Sequence, residues 1–252
     1  MIWLRSALFM LSLGVITPLF AFGMLLLLPF GHAAAYAGAA TWTRVTLFLA
    51  RYLCGIKYRI LGRENIPTQP TIVVSKHQSA WETILFPSLF PRQVHVVKRE
   101  LLHVPFFGWG LAMLDPIAID RGSGSEALRQ VLEQGRDRLR KGLWVIIFPE
   151  GTRVAPGDRR RYGVGGASLA VGTAVPILPI AHNAGDFWRR KAFLKYPGTV
   201  TVSLGPLIKP DGLEAGELNA RVESWIENEM LRIGAANKKT SQGSIENEPV
   251  TP

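Results

Sequence analysis

The chain has 252 residues, 48% of them hydrophobic, and carries a formal net charge of +10. Its length suits one domain of ordinary size with an appendage. Its single cysteine, Cys54, excludes an internal disulfide and a cysteine metal cluster. A mean hydropathy of +0.16 is high for a soluble protein, and the excess sits at the front.

No charged residue occurs from Ala7 to Phe30. As a helix this run would extend about 36 Å, enough to cross a hydrocarbon core of about 30 Å. A secretory signal is the competing reading, with Arg5 as its basic start and Ala33-Ala34-Ala35 as a small-residue cleavage site. The apolar run is too long for that. A second apolar stretch, Ala33 to Ile56, contains only Arg44 and Arg51, whose spacing puts them on one helix face. That pattern fits an amphipathic helix at a membrane surface. Pro29, Gly31 and His32 separate the two stretches and predict a turn. Arg44, Arg51, Lys57, Arg59 and Arg63 follow the long apolar run closely, which places the bulk of the chain on the cytoplasmic side.

After Ile56 the pattern alternates between strand and helix. Strands are predicted at Lys57–Leu61, Thr71–Ser75, Val94–Val97, Pro116–Ile119, Leu143–Phe148, Val175–Ile180 and Val200–Leu204. Helices are predicted at Ser79–Leu89, Phe106–Leu114, Ser123–Lys141, Ala167–Ala174 and Glu214–Ile233. Ser123 and Glu126 form a capping-box pattern, and Gly142 stops that helix. The fully apolar Leu143–Phe148 implies burial on both sheet faces. The fold class that follows is α/β, a mostly parallel sheet flanked by helices, preceded by an N-terminal hydrophobic helical membrane anchor. Residues 1–56 are the anchoring helices, 57–234 the folded domain, and 235–252 a polar tail expected to be disordered.

The basic surface fits nucleic acid, anionic lipid or acidic substrates alike. No zinc-finger spacing or RNA-binding signature is present, so no nucleic-acid partner is expected. Beside a membrane anchor, anionic headgroups are the favoured partners of Arg159-Arg160-Arg161 and Arg189-Arg190-Lys191. Gly122-Ser123-Gly124-Ser125-Glu126-Ala127 matches a dinucleotide fingerprint, but the capping box explains it, and no acid stands at the required distance on a following strand.

Two segments carry chemistry. In Lys76-His77-Gln78-Ser79-Ala80-Trp81-Glu82 an imidazole and a carboxylate lie five positions apart. On one regular helix they would point about 140° apart. They meet if His77 lies in the strand-to-helix loop and Glu82 in the first helical turn. The acid would then fix the imidazole tautomer and leave the other nitrogen to accept a proton. In Phe148-Pro149-Glu150-Gly151-Thr152-Arg153, the proline ends a strand, Gly151 permits a tight turn, and Arg153 offers a planar fork for phosphate. Glu150 would hold that arginine or bind a glycerol hydroxyl. Lys98 and Arg121 end two further strands, where both would reach the same crevice. Taken singly, each of these residues also fits a solvated surface or local capping role.

Together these residues resemble the glycerolipid acyltransferase family, in particular the 1-acylglycerol-3-phosphate acyltransferases. His77 through Glu82 looks like the family's His-x4-Asp motif with glutamate as the acid, and Phe148–Arg153 matches its Phe-Pro-Glu-Gly-Thr-Arg motif. Lys98, Leu101, Pro105 and Gly108, the segment Ile117–Arg121, and Val175–Pro179 resemble further family segments. One departure is Gly163 in Tyr162-Gly163-Val164-Gly165, where many members have lysine; Arg160 or Arg161 would substitute.

The resemblance implies acyl transfer from acyl-CoA or acyl carrier protein to a lysophospholipid at a membrane, the bacterial inner membrane with the site on its cytoplasmic face. His77 and Glu82 would be catalytic. Lys98, Arg121, Glu150, Gly151, Thr152 and Arg153 would bind substrate. No metal or other cofactor is implied, because a thiolate is already a good leaving group. Lyso-ornithine lipid or glycerol-3-phosphate is the alternative acceptor, and a non-catalytic tether for anionic lipids is the alternative class. Phe106, Phe107 and Trp109 fit an acyl path or, as the more usual role of such residues, plain core packing.

Overall fold

The computed structural model of the chain describes residues 1–120, 122 and 124–243. Helix α1 spans Ile2–Leu27, and its length and hydropathy qualify it to cross a membrane. It is apolar all round, with Leu4, Leu11, Leu19 and Leu26 exposed, as expected of a segment solvated by lipid rather than water. A 3-10 turn at Leu28–Phe30 and Gly31, at φ 88°, reverse the chain into α2 (His32–Cys54), at the expected turn. Helix α2 buries Ala35, Ala39, Thr43, Leu47, Ala50 and Cys54 on one stripe and leaves Arg44 and Arg51 exposed. Gly55, in the left-handed region at φ 74°, ends it and feeds the first strand.

Seven strands form one sheet in the order β1-β7-β6-β2-β5-β3-β4. They are β1 (Ile56–Leu61), β2 (Ile72–Ser75), β3 (Gln93–Lys98), β4 (Ile117–Ile119), β5 (Trp144–Ile147), β6 (Ile177–His182) and β7 (Gly198–Leu204). All neighbours run parallel except β6 with β7. The helices are α3 (Trp81–Leu89), α4 (Phe107–Ala112), α5 (Ser125–Arg140), α6 (Gly165–Thr173), α7 (Ala184–Phe187) and α8 (Ala215–Gly243). Alternate strand residues feed two cores, one per sheet face. Val73, Ile146 and Leu178 pack with α2 and α3, while Ile72, Val74 and Val145 pack with α5, α6 and α8. The central strands β2 and β5 are buried throughout, which is why their sequences read as unbroken apolar runs.

Two expectations need correcting. Helix α8 runs on to Gly243, well past Ile233, so only 244–252 of the polar tail lies outside the described residues. The capping box is not formed as read: α5 is preceded by Gly124 with no side-chain cap, and Glu126 instead pairs with Arg129 at 2.7 Å. Ser123, its other half, lies outside the described residues. The short helix α7 and a 3-10 turn at Arg99–His103 carry too little periodicity to be foreseen.

Candidate active site

Strands β2 and β5 are adjacent and parallel, with Val74 opposite Ile147. The two chemical motifs therefore leave the sheet side by side at its carboxyl edge. They are clipped together through the main chain of His77. Its N–H donates to Glu150 Oε2 at 2.8 Å, and its carbonyl accepts from the N–H of Val154 at 2.8 Å.

His77 lies in the loop after β2 and Glu82 in the first turn of α3, the arrangement that lets them meet. His77 Nδ1 lies 2.9 Å from Glu82 Oε1, which also accepts the N–H groups of Gln78 and Ser79 at 2.9 and 2.8 Å. Glu82 is fully buried. Burial alone would raise its carboxyl, but the imidazoles of His182 and His77 and the Ser79 N–H outweigh that and hold it below its ordinary value. An ionised Glu82 fixes the proton of His77 on Nδ1 and leaves Nε2 to accept another. The His77 ring stacks on Phe148 at 4.0 Å, with its side chain 12% exposed.

Behind this pair sits His182, at the end of β6 and 3.8 Å from Glu82. Its Nε2 donates to the Lys76 carbonyl at 2.8 Å, and its Nδ1 accepts from the Ala184 N–H at 3.3 Å. Burial lowers its affinity for a proton, and its two bonds to the main chain brace the Glu82 side of the loop.

Arg153 lies where two cavities meet. One is an apolar cavity of about 210 Å³ between α1, α2, β3 and α4, whose wall includes His77, Phe148, Ile84, Met24, Phe106 and Phe107. The other is an open basin of about 780 Å³ bordered by Thr152, Arg159, Arg160, Arg189 and Arg190. Arg153 borders both, and His77 the first. Burial draws the arginine's proton affinity down, and it has no ion-pair partner among the described residues. A half-buried, unpaired guanidinium suits an external anion. Gly151, at φ 68°, turns the chain so that Thr152 and Arg153 face this junction.

Other expected contacts are placed differently. Glu150 neither holds Arg153 nor faces the crevice. It is 2% exposed, with Oε1 paired to Lys76 at 2.7 Å and Oε2 on the His77 N–H. Lys98 pairs with Glu100 at 2.8 Å in solvent. The two-residue period of β3 puts Lys98 on the side of Val94 and Val96, and Lys98 borders neither cavity. Arg121 lies outside the described residues. Phe106 and Phe107 line the cavity rather than a closed core, while Trp109 is 43% exposed.

Sequence reasoning missed the buried support of the site. Lys76, 1% exposed, pairs with Glu150 at 2.7 Å and with Glu227 of α8 at 2.8 Å. Tyr162 and Arg159 donate to the same Glu227 at 2.9 Å each. Only a charged Lys76 at the end of an apolar strand signalled it.

A neighbouring group gives a pH signature. Burial pushes His95 down to about 4 from 6.5. Between those values the unfolded chain binds a proton that the native one refuses, so stability rises with pH across that window. His182, buried and depressed, acts in the same sense. His95→Phe is expected to flatten the rise of melting temperature between pH 4 and 6.5, read by thermal unfolding in detergent. An unchanged slope would assign that rise to other groups.

Comparison with known proteins shows the family of the chain. An acyltransferase family model matches residues 57–183, which include both motifs. A 1-acyl-sn-glycerol-3-phosphate acyltransferase of Pseudomonas aeruginosa is 46% identical over 203 residues, covering 79% of each chain. The mouse 1-acyl-sn-glycerol-3-phosphate acyltransferase alpha is 34% identical over 194 residues, 75% of this chain and 68% of its own. The crystal structure of a 1-acyl-sn-glycerophosphate acyltransferase from Thermotoga maritima superposes with a TM-score of 0.74 at 22% identity, covering 92% of this chain and 95% of that one, and so shares the fold. The chain belongs to the acyltransferase family, within its 1-acyl-sn-glycerol-3-phosphate acyltransferases.

Proposed function

We propose that the protein moves a fatty acyl group from an acyl thioester to the sn-2 hydroxyl of 1-acylglycerol-3-phosphate, making phosphatidic acid for phospholipid synthesis. The observation that carries this is the position of Arg153, on an apolar cavity that also holds His77 and on a basic basin. A lysophosphatidate has the matching shape, with hydrocarbon on one side of a hydroxyl and phosphate on the other.

His77 Nε2 takes the hydroxyl proton as the oxygen attacks the thioester carbonyl, and Glu82 balances the imidazolium. The tetrahedral intermediate expels the thiolate, which recovers the proton from His77. Arg153, with Thr152 beside it, holds the phosphate. Acyl-CoA or acyl carrier protein supplies the acyl group, and no further cofactor takes part. The apolar helix α1 holds the cavity against the bilayer, with the catalytic residues on the cytoplasmic face of the bacterial inner membrane.

Labelled acyl-CoA offered with a panel of lysolipids tests this. 1-Acylglycerol-3-phosphate is expected to be acylated well above glycerol-3-phosphate and lyso-ornithine lipid. Preferential turnover of lyso-ornithine lipid, which lacks the phosphate, would overturn the assignment of acceptor.

A further inference from the structure

The two peptide groups that flank His77 are each held at both ends. In the first, which joins Lys76 to His77, the N–H donates to Glu150 Oε2 and the carbonyl accepts from His182 Nε2, both at 2.8 Å. In the second, which joins His77 to Gln78, the carbonyl accepts from the Val154 N–H at 2.8 Å and the N–H donates to Glu82 Oε1 at 2.9 Å. A residue has only two soft backbone dihedrals, one towards each of the peptide planes beside it. Fixing both planes therefore fixes the direction in which the Cα–Cβ bond of His77 leaves the chain. Loop backbone ordinarily runs over the surface and is mobile, whereas this loop is tied to three neighbouring segments. Of the four groups that hold it, Glu82 also meets the imidazole, Glu150 belongs to the Lys76 network, and Val154 acts through its main chain. His182 comes from a different strand, β6, is fully buried, and borders neither cavity.

The same bonds fix which nitrogen of His182 carries a proton. The Ala184 N–H is a donor 3.3 Å from Nδ1, so Nδ1 accepts, and the Lys76 carbonyl is an acceptor, so Nε2 donates. A neutral imidazole with its proton on Nε2 meets both demands. A second proton would push Ala184 away from Nδ1 and put a cation beside Glu82 Oε1, which lies 3.8 Å from Nε2. That cation would draw on the carboxylate charge that holds and balances His77. Resting on the acyl-transfer reading above, we propose that His182 is a positioning residue for the base. Through the Lys76 carbonyl it sets the orientation of His77, and as the neutral Nε2–H tautomer it leaves the Glu82 charge to His77 alone.

Because His182 borders neither cavity, its loss should be felt in turnover rather than in substrate binding. A misplacement of about 1 Å is enough to cost about 10²-fold in rate. In the full-length protein, His182→Leu is expected to lower kcat for acyl transfer by about 10–10²-fold, with KM for acyl-CoA and for 1-acylglycerol-3-phosphate within about twofold of wild type. His182→Gln, whose amide keeps a donor for the Lys76 carbonyl, should regain most of that loss. A folded leucine variant with wild-type kcat, or equal kcat in the two variants, would overturn the proposal, as would a loss carried by KM. A measurement on the wild type needs neither variant to fold. In protein isotope-labelled at the alanine carbonyl and the histidine nitrogens, NMR picks out His182 as the only histidine that follows an alanine. Its ring is expected as the neutral Nε2–H tautomer at the pH of the assay. A protonated ring, or one with its proton on Nδ1, would overturn the proposal while leaving acyl transfer intact. A wild type that acylates no lysolipid at all would overturn the proposed function and the positioning role together.

Discussion

His77→Ala is expected to lower kcat for acyl transfer by about 10²–10⁴-fold, the usual worth of a general base. It should leave the melting temperature and vesicle binding close to the wild-type values. The reason lies in which part of His77 does what. The links that tie its loop to Glu150 and Val154 are main-chain bonds at 2.8 Å each, and alanine keeps both. The ring contributes its stack on Phe148 and its bond to Glu82, and it presents Nε2 to the cavity. The proposed membrane binding would rest on α1 and the exposed cations, which the change does not touch. Transfer assays with labelled donor, run beside thermal unfolding, check both halves. Full activity in the alanine variant would remove the base assignment.

Lys76→Met is expected to have the largest effect on stability, a loss of about 3–5 kcal/mol, because it breaks a buried ion network by removing one partner. The ammonium lies between Glu150 and Glu227, at 2.7 and 2.8 Å, with the three side chains no more than 7% exposed. Burial already pushes the Glu150 carboxyl above its ordinary value, and Lys76 is the main group pulling it back. Without the lysine, two buried carboxylates face each other. For a domain of this size, the loss corresponds to a fall in melting temperature on the order of 10 °C. Activity should fall too, since Glu150 holds the His77 N–H. Adding Glu150→Gln to Lys76→Met removes one orphaned charge and should recover part of the stability. A melting temperature unchanged by Lys76→Met would show that the network is not holding the fold.

The contact between His77 and Glu82 was legible because its signal is local. Five positions spanning a loop and a first helical turn fix where His77 and Glu82 stand, and the structure puts them 2.9 Å apart. The strands were legible because buried parallel strands must be continuously apolar, as Trp144–Ile147 shows. Glu227 was not legible. It reaches Lys76 from 151 positions away, and on its own helix it looks like any surface glutamate. Glu150 was misread because its motif suggests a ligand contact, whereas its side chain is taken by Lys76, from the loop after β2. Lys98 was read as facing the crevice from its position at a strand end alone, whereas it borders neither cavity and pairs with Glu100. The cavity was only half visible. Its aromatic wall was considered, but the side lined by Gln93 and His95 hid inside a segment read simply as a strand.

The most direct test of the shared crevice compares 1-acylglycerol-3-phosphate with 1-acylglycerol, which lacks the phosphate, in the wild type, Arg153→Ala and His77→Ala. If Arg153 binds the phosphate while His77 serves the hydroxyl, the wild type prefers the phosphorylated acceptor, and Arg153→Ala reduces that ratio of kcat/KM by about 10²-fold, as expected for a lost charge-assisted contact. His77→Ala should lower both rates together and preserve the ratio. A ratio that survives Arg153→Ala would contradict the joint placement of base and phosphate on one cavity.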